Sequence, residues 1–182
     1  GELGIVALAH KIPAATHADW PAIQVFSSIL SGGRTSRCYK ALTDKNLTIN
    51  VDSFPSFNHD PSLHLTFADV ASGVKHEDVE KALLAEIEKI KSSGVTKAEV
   101  ETAQAGILAR RAYSRDGSFA LAAEINECIA VGDWSLYATM EDLCKAVTAK
   151  DVQRVAKKYL TDDHSVAGWF VPSTVEAEGP SD

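Results

Sequence analysis

A chain of 182 residues, 45% hydrophobic and 24% charged, has an ordinary globular balance and can build a core without disulfides or metals. Its 18 Lys and Arg against 25 Asp and Glu leave a formal net charge of −7. That balance argues against a nucleic-acid partner, because binding a phosphate backbone needs a basic face. Cys38, Cys128 and Cys144 are an odd number and read as small core residues, and no apolar run approaches the roughly eighteen residues of a membrane span. The abrupt start at Gly1, without an initiator Met, leads us to expect a piece of a longer polypeptide.

In chain order, Ile5 to Ile12 alternates Val6, Leu8, His10 and Ile12 with Ile5, Ala7 and Ala9, which predicts a strand covered on both faces. Trp20 to Ser31 places Ala22, Ile23, Val25, Phe26, Ile29 and Leu30 on one arc of a helix, with Gln24, Ser27, Ser28 and Ser31 on the other side. Asp19 is placed to cap it, Pro21 sits in its first turn, and Gly32 or Gly33 ends it. Thr35 or Ser36 then caps a second, short helix carrying Cys38, Tyr39, Ala41 and Leu42, which Asn46 breaks. Thr48 to Ser56 and Ser62 to Asp69 read as antiparallel strands around the turn Asn58-His59-Asp60-Pro61.

Lys75 to Ser92 carries Val79, Ala82, Leu83, Ile87 and Ile90 at helical spacing and stops at Gly94. Thr96 and Glu99 form a capping-box pattern that opens a helix reaching about Tyr113. Further helices are expected over Ser118 to Val131, Ser135 to Ala146 and Thr148 to Tyr159, and a last strand over Ser165 to Val171. Residues 1–172 are read as a single domain and the acidic stretch 173–182 as a disordered tail or linker. Strands and helices segregate rather than alternate, which predicts an α+β fold: an antiparallel sheet with helices packed on one face.

The corner after the first helix reads Asp19 to Ala22, then Ile29-Leu30-Ser31-Gly32-Gly33, then Ser36-Arg37-Cys38-Tyr39-Lys40-Ala41-Leu42. It resembles the non-zinc, C-terminal-type inactive domain of the pitrilysin, insulysin and mitochondrial processing peptidase family, metallopeptidases with an inverted zinc motif. The resemblance extends upstream through Ala9 to Pro13 and downstream through Val95 to Val100, Gly132-Asp133-Trp134, Val147 to Val152 and Lys158-Tyr159-Leu160. It implies the LuxS/mitochondrial processing peptidase-like metallohydrolase fold.

The family's chemistry needs His-x-x-Glu-His on one helix face plus a distant carboxylate, the motif Glu activating a zinc-bound water. None of His10, His17, His59, His64, His76 or His164 begins such a motif. The resemblance also implies an Arg and a Tyr that hold the substrate carbonyl from a non-zinc domain, and the matching positions here are Thr43 and Ile49. No catalytic and no metal residue is therefore assigned, and no cofactor belongs to the fragment itself. Zinc is expected in a zinc-bearing domain of the same family, in cis or in trans.

The resulting expectation is a non-catalytic domain forming one wall of a zinc metalloendopeptidase's peptide chamber. The alternative is an inactive scaffold or partner subunit like the core proteins of a respiratory complex. Arg34 and Arg37, beside the glycine corner, are the substrate-facing candidates, with solvated or structurally paired arginines as the competing reading. Cys38, near a helix start, is the one candidate nucleophile of another class, and burial is the expectation for it. The compartment is expected to be the bacterial periplasm or cytoplasm, the periplasm being favoured if the parent is an exported zinc protease.

Overall fold

The computed structural model describes residues 3–172, so the stretch read as a tail lies outside the described residues. Four strands, β1 (Ile5–Ile12), β2 (Thr48–Pro55), β3 (Ser62–Val70) and β4 (Ser165–Phe170), form one sheet in the order β2-β3-β1-β4, every pair antiparallel. Six helices, α1 (Trp20–Ser31), α2 (His76–Ser93), α3 (Lys97–Ser114), α4 (Ser118–Ala130), α5 (Leu136–Lys145) and α6 (Ala149–Tyr159), make the second layer. This is the segregated α+β architecture that the sequence predicts.

Helix α1 lies at the centre of the core. Its apolar arc is broad enough to bury nearly every residue: Trp20, Ile23, Phe26 and Leu30 are each no more than 1% exposed, and the helix touches β2 on one side and α3, α5 and α6 on the other. Burying a side chain such as Phe26 contributes roughly 1.5–3 kcal/mol. The chain leaves α1 through Gly33, whose φ of +104° is open to glycine and costly for a side chain. Residues 39–43 then form one π-helical turn rather than a regular helix, with Ser36 Oγ accepting the Tyr39 N–H at 3.4 Å, and Asn46 ends the turn in the left-handed region at φ +57°.

The boundaries of α3 and α6 are set locally. Thr96 Oγ1 accepts the Glu99 N–H at 3.2 Å while the Glu99 carboxylate accepts the Thr96 N–H at 2.7 Å, and Thr148 with Asp151 repeats this reciprocal box.

Asp19 corrects the expectation of a helix cap. Its backbone already has helical angles (φ −81°, ψ −11°), so its side chain does not turn back to the first amides, and it makes no cap bond. The carboxylate instead reaches α6, accepting hydrogen bonds from Arg154 Nη1 at 2.6 Å, Tyr159 Oη at 2.7 Å and Lys158 Nζ at 3.0 Å. Burial alone would raise its pKa, but the three donors outweigh it and hold the carboxyl well below the usual carboxylate range.

β1 also departs from its predicted environment. Val6, Leu8, His10 and Ile12 are buried beneath the helices, whereas Ile5, Ala7 and Ala9 on the other side are only half-buried and Lys11 is exposed. β1 is an inner strand between β3 and β4, and the partial burial of this side fits a face with no helix over it among the described residues.

Candidate interaction site

The residues that chemistry would use are dispersed. His10 and His64 face each other across β1 and β3 inside the core, 2% and 0% exposed. His59 lies outside beside Asp60 at 3.1 Å, and His76 gives its Nε2 to the Phe170 carbonyl at 2.9 Å. Among the described residues no three His, Cys, Asp or Glu side chains gather as a metal-holding group. Cys38 is fully buried, and burial, reinforced by the Glu86 carboxylate, pushes its thiol up to about 12, which removes it as a nucleophile. Thr43 is occupied with Thr48, their hydroxyl oxygens 3.1 Å apart, and Ile49 projects outward at the start of β2.

What the molecule does present is an uncovered sheet face. Strand alternation sends Phe54 of β2, Leu63, Leu65 and Phe67 of β3, Ile5, Ala7 and Ala9 of β1, and Val166 and Phe170 of β4 to the side away from the helices. Phe54 and Phe67 stack at 6.1 Å between ring centroids and remain 45% and 38% exposed. β3 is effectively inverted: its helix side holds His64, Thr66 and Ala68, while its open side holds Leu63, Leu65 and Phe67. Asn50, Asp52, Asp69 and Lys11 share this side and border the apolar band, and an apolar patch with a polar rim and no helix over it among the described residues marks a contact surface.

Beside β2 runs a cleft of about 750 Å³. Its floor includes Trp20, Phe57 and Met140, one end is the Gly32-Gly33 corner, and its far wall is built from α3 and α4. That wall is stiffened by charge. Arg111 of α3 and Arg115 just past its end bind Glu124 of α4, Arg115 Nη1 reaches Glu141 of α5 at 2.8 Å, and Arg115 lies 4.5 Å over the Tyr137 ring. Arg110, nearer the opening, donates to Ser28 Oγ at 3.4 Å.

The two arginines singled out in the sequence are separated. Arg34 is exposed on the corner, its guanidinium 5.7 Å from the Tyr39 ring centre. Arg37 turns under the corner, where Nε and Nη2 grip the Glu99 carboxylate at 2.7 and 3.1 Å and Nη2 also donates to the Gly94 carbonyl at 3.0 Å. The Arg37 guanidinium, more than the opposing burial, takes Glu99 down to about 2. The cleft itself escapes sequence reading because its walls come from segments far apart in the chain; its one local signal is the Arg111/Arg115 pair at helical spacing.

Fold and surfaces together define an α+β domain with four antiparallel strands, helices on one side and an apolar band on the other among its described residues. The chain belongs to the family of peptidase M16 inactive domains, whose model matches residues 1–107. It is 27% identical over 168 residues to the zinc protease PqqE of Helicobacter pylori, a match that takes in 92% of this chain and 38% of that protein. The chain thus spans well under half of that curated relative. The inactive peptidase domain of a candidate zinc protease from Bordetella parapertussis superposes with a TM-score of 0.88 at 26% identity, covering 100% of this chain and 97% of that one. A chain of complex III2 from Candida albicans shares the fold at a TM-score of 0.80 and 16% identity, over 92% of this chain and 42% of its own length.

Proposed function

We propose that this chain is the non-catalytic wall of a zinc metallopeptidase, seated through its open sheet face on a zinc-bearing domain of the same family, in the same polypeptide or in a partner chain. The observation that carries this reading is the inversion of β3, which spends Leu63, Leu65 and Phe67 on the uncovered side and His64 and Thr66 on the covered one. A sheet with one core directs its apolar alternation inward; this sheet has a second apolar face in want of a partner. The apolar run on both sides of β1 supports the same conclusion.

In this reading the cleft beside β2 holds part of the peptide. The apolar floor accepts side chains, Arg34 is the corner's peptide-facing cation, and Arg37 fixes the corner to α3 through Glu99. The domain's contribution to turnover is to exclude bulk water, limit substrate size and hold the peptide in register for the metal. We place the assembly in the periplasm if the parent is exported.

The test is reconstitution. The chain mixed with the zinc-bearing domain is expected to form a stable complex that cleaves peptide, while neither zinc addition nor peptide addition confers cleavage on this chain alone. Phe67→Asp should abolish complex formation and leave the chain folded by circular dichroism. Cleavage by the purified chain alone would overturn the proposal. A complex that forms but never cleaves, from a parent lacking His-x-x-Glu-His, would favour the scaffold reading that the shared complex III2 fold also accommodates.

A further inference from the structure

The sheet has two edges, and only one is guarded. Ladder parity fixes which backbone groups point outward. The Val70 N–H donates to the Gly4 carbonyl at 2.8 Å, so even-numbered β1 residues bond to β3 and Ile5, Ala7 and Ala9 bond to β4. Their partners Phe170, Gly168 and Val166 face inward, leaving the N–H and C=O groups of Ala167 and Trp169 on the outer edge. On β2, the Ser56 N–H bonds to the Leu63 carbonyl at 2.9 Å, so the outward residues are Val51, Ser53 and Pro55.

The β2 edge carries several devices that stop strand addition. Pro55 has no N–H to offer, the Ser53 carbonyl is taken by Ser27 Oγ at 2.8 Å, Asp52 places a charge in the strand, and a bulge interrupts the register between Thr48 and Asn50. β4, Ser-Val-Ala-Gly-Trp-Phe, has none of them: no charge, no proline and an unbroken register. It is nonetheless exposed along nearly its whole length, with Val166 at 70%. It is held from its helix side, where Trp169 Nε1 donates to Glu80 at 2.6 Å and the His76 ring lies 5.9 Å from the Trp169 ring. An apolar, regular, anchored strand whose outer edge is unpaired among the described residues is a template for pairing.

We infer that β4 is extended by a fifth strand contributed by the zinc-bearing M16 partner, so that the partner engages this domain by backbone pairing as well as by the open face. The inference rests on the docking reading above. Three observations select this occupant over a second copy or a peptide. Val166 and Phe170 belong to the open face, so a body seated there reaches the β4 edge without a gap. About 60% of the Helicobacter pylori relative lies outside the matched region, ample chain for such a strand. Ile5 pairs with Phe170, so the start of β1 lies beside the far end of β4.

Amide hydrogen exchange tests this on two samples: the present chain alone, and the parent polypeptide or, where the zinc domain is a separate chain, the complex. The Ala167 and Trp169 amides should exchange freely in the first and be protected roughly 100-fold or more in the second. Ala167→Pro, which deletes one outward N–H and no bond to β1, should lower the melting midpoint of the assembly by about 2–4 °C and leave that of the chain unchanged. If those amides stay fast in the assembly while Phe67→Asp still breaks it, the added strand is refuted and the docking reading stands. If neither Phe67→Asp nor Ala167→Pro affects the assembly, both fall. Concentration-dependent protection of β4 in the chain alone would assign the edge to a second copy and overturn the inference.

Discussion

On the side turned toward α1, β3 places His64, Thr66 and Ala68; on the opposite side the same strand places Leu63, Leu65 and Phe67. At the middle of β3 the covered side is therefore the more polar one, and small hydroxyls accommodate its histidine. His64 Nε2 lies 3.0 Å from Ser53 Oγ and 3.2 Å from Ser27 Oγ, and Ser27 Oγ in turn donates to the Ser53 carbonyl. The open face needs no such accommodation at its centre, where Leu63, Leu65, Phe67 and Phe54 carry no polar side-chain atoms, and its charged groups Asp52, Asp69 and Lys11 lie on the same side within reach of solvent. The covered face holds the domain together, and the open face is available for association. Folding and docking thus draw on different residues of one sheet and can be damaged separately.

The largest separate effect is expected at the covered face. Phe26 is 0% exposed and its ring meets His64 edge-on at 5.4 Å, so Phe26→Ala should cost roughly 3–5 kcal/mol in urea unfolding, enough to leave a marginal domain. A pH titration of stability probes the same face. Burial, with His10 opposite, takes His64 down to about 3 from an ordinary 6.5, and burial with the Lys91 charge lowers His10 too, against the opposing pull of Asp162. The unfolded chain therefore binds protons first as the solution is acidified. Stability should be intact above about pH 6.5 and fall progressively toward pH 3, by about 3 kcal/mol at pH 4 from His64 alone. Asp19 and Glu99 have depressed folded values, so their contribution is present above about pH 4 and lost only below it. Between pH 6.5 and 5 the slope belongs to the histidines, and His64→Gln should flatten it. A slope unchanged by that substitution would place the acid sensitivity elsewhere.

A smaller effect is expected at the corner that joins the two helical segments. Glu99→Ala removes both the capping box of α3 and the carboxylate that holds Arg37. The ion pair is partly open to solvent, with side chains 19% and 30% exposed, so the expected loss is about 1–2 kcal/mol. Calorimetry would show the lower midpoint, and reconstituted peptide binding should weaken with it, because Gly32-Gly33 loses its anchor beneath the cleft.

How much of this was legible before the structure depends on how far apart the interacting residues are. Thr96 with Glu99, Thr148 with Asp151 and Gly94 at φ +75° act within a few residues, and the ends of α2, α3 and α6 fall where the sequence predicts them. Asp19 looked like a local cap because its true partners, Arg154, Lys158 and Tyr159, sit at the other end of the chain and nothing near it announces them. The orientation of β3 was beyond alternation altogether: period two identifies two faces, and the richer one is the wrong choice for this core. The two-sided apolar pattern of β1 was legible, and its incomplete cover in the domain is what makes it informative.

The smallest expected effect is the most discriminating one. Phe67→Thr keeps a good strand former on the open face and gives up the stack on Phe54 together with burial that is already incomplete at 38% exposure. Its cost to the isolated chain should stay under about 1 kcal/mol in urea unfolding, several-fold less than Phe26→Ala on the other side of the same sheet. In the proposed assembly Phe67 is expected to become fully buried, and the cost of the same substitution should rise by roughly 1–2 kcal/mol, read as a loss of affinity or of melting midpoint. A penalty above about 2 kcal/mol in the chain alone would mean that Phe54 and Phe67 form a second core of the domain itself. The open face would then be a structural surface, and the distinction between holding together and docking would collapse.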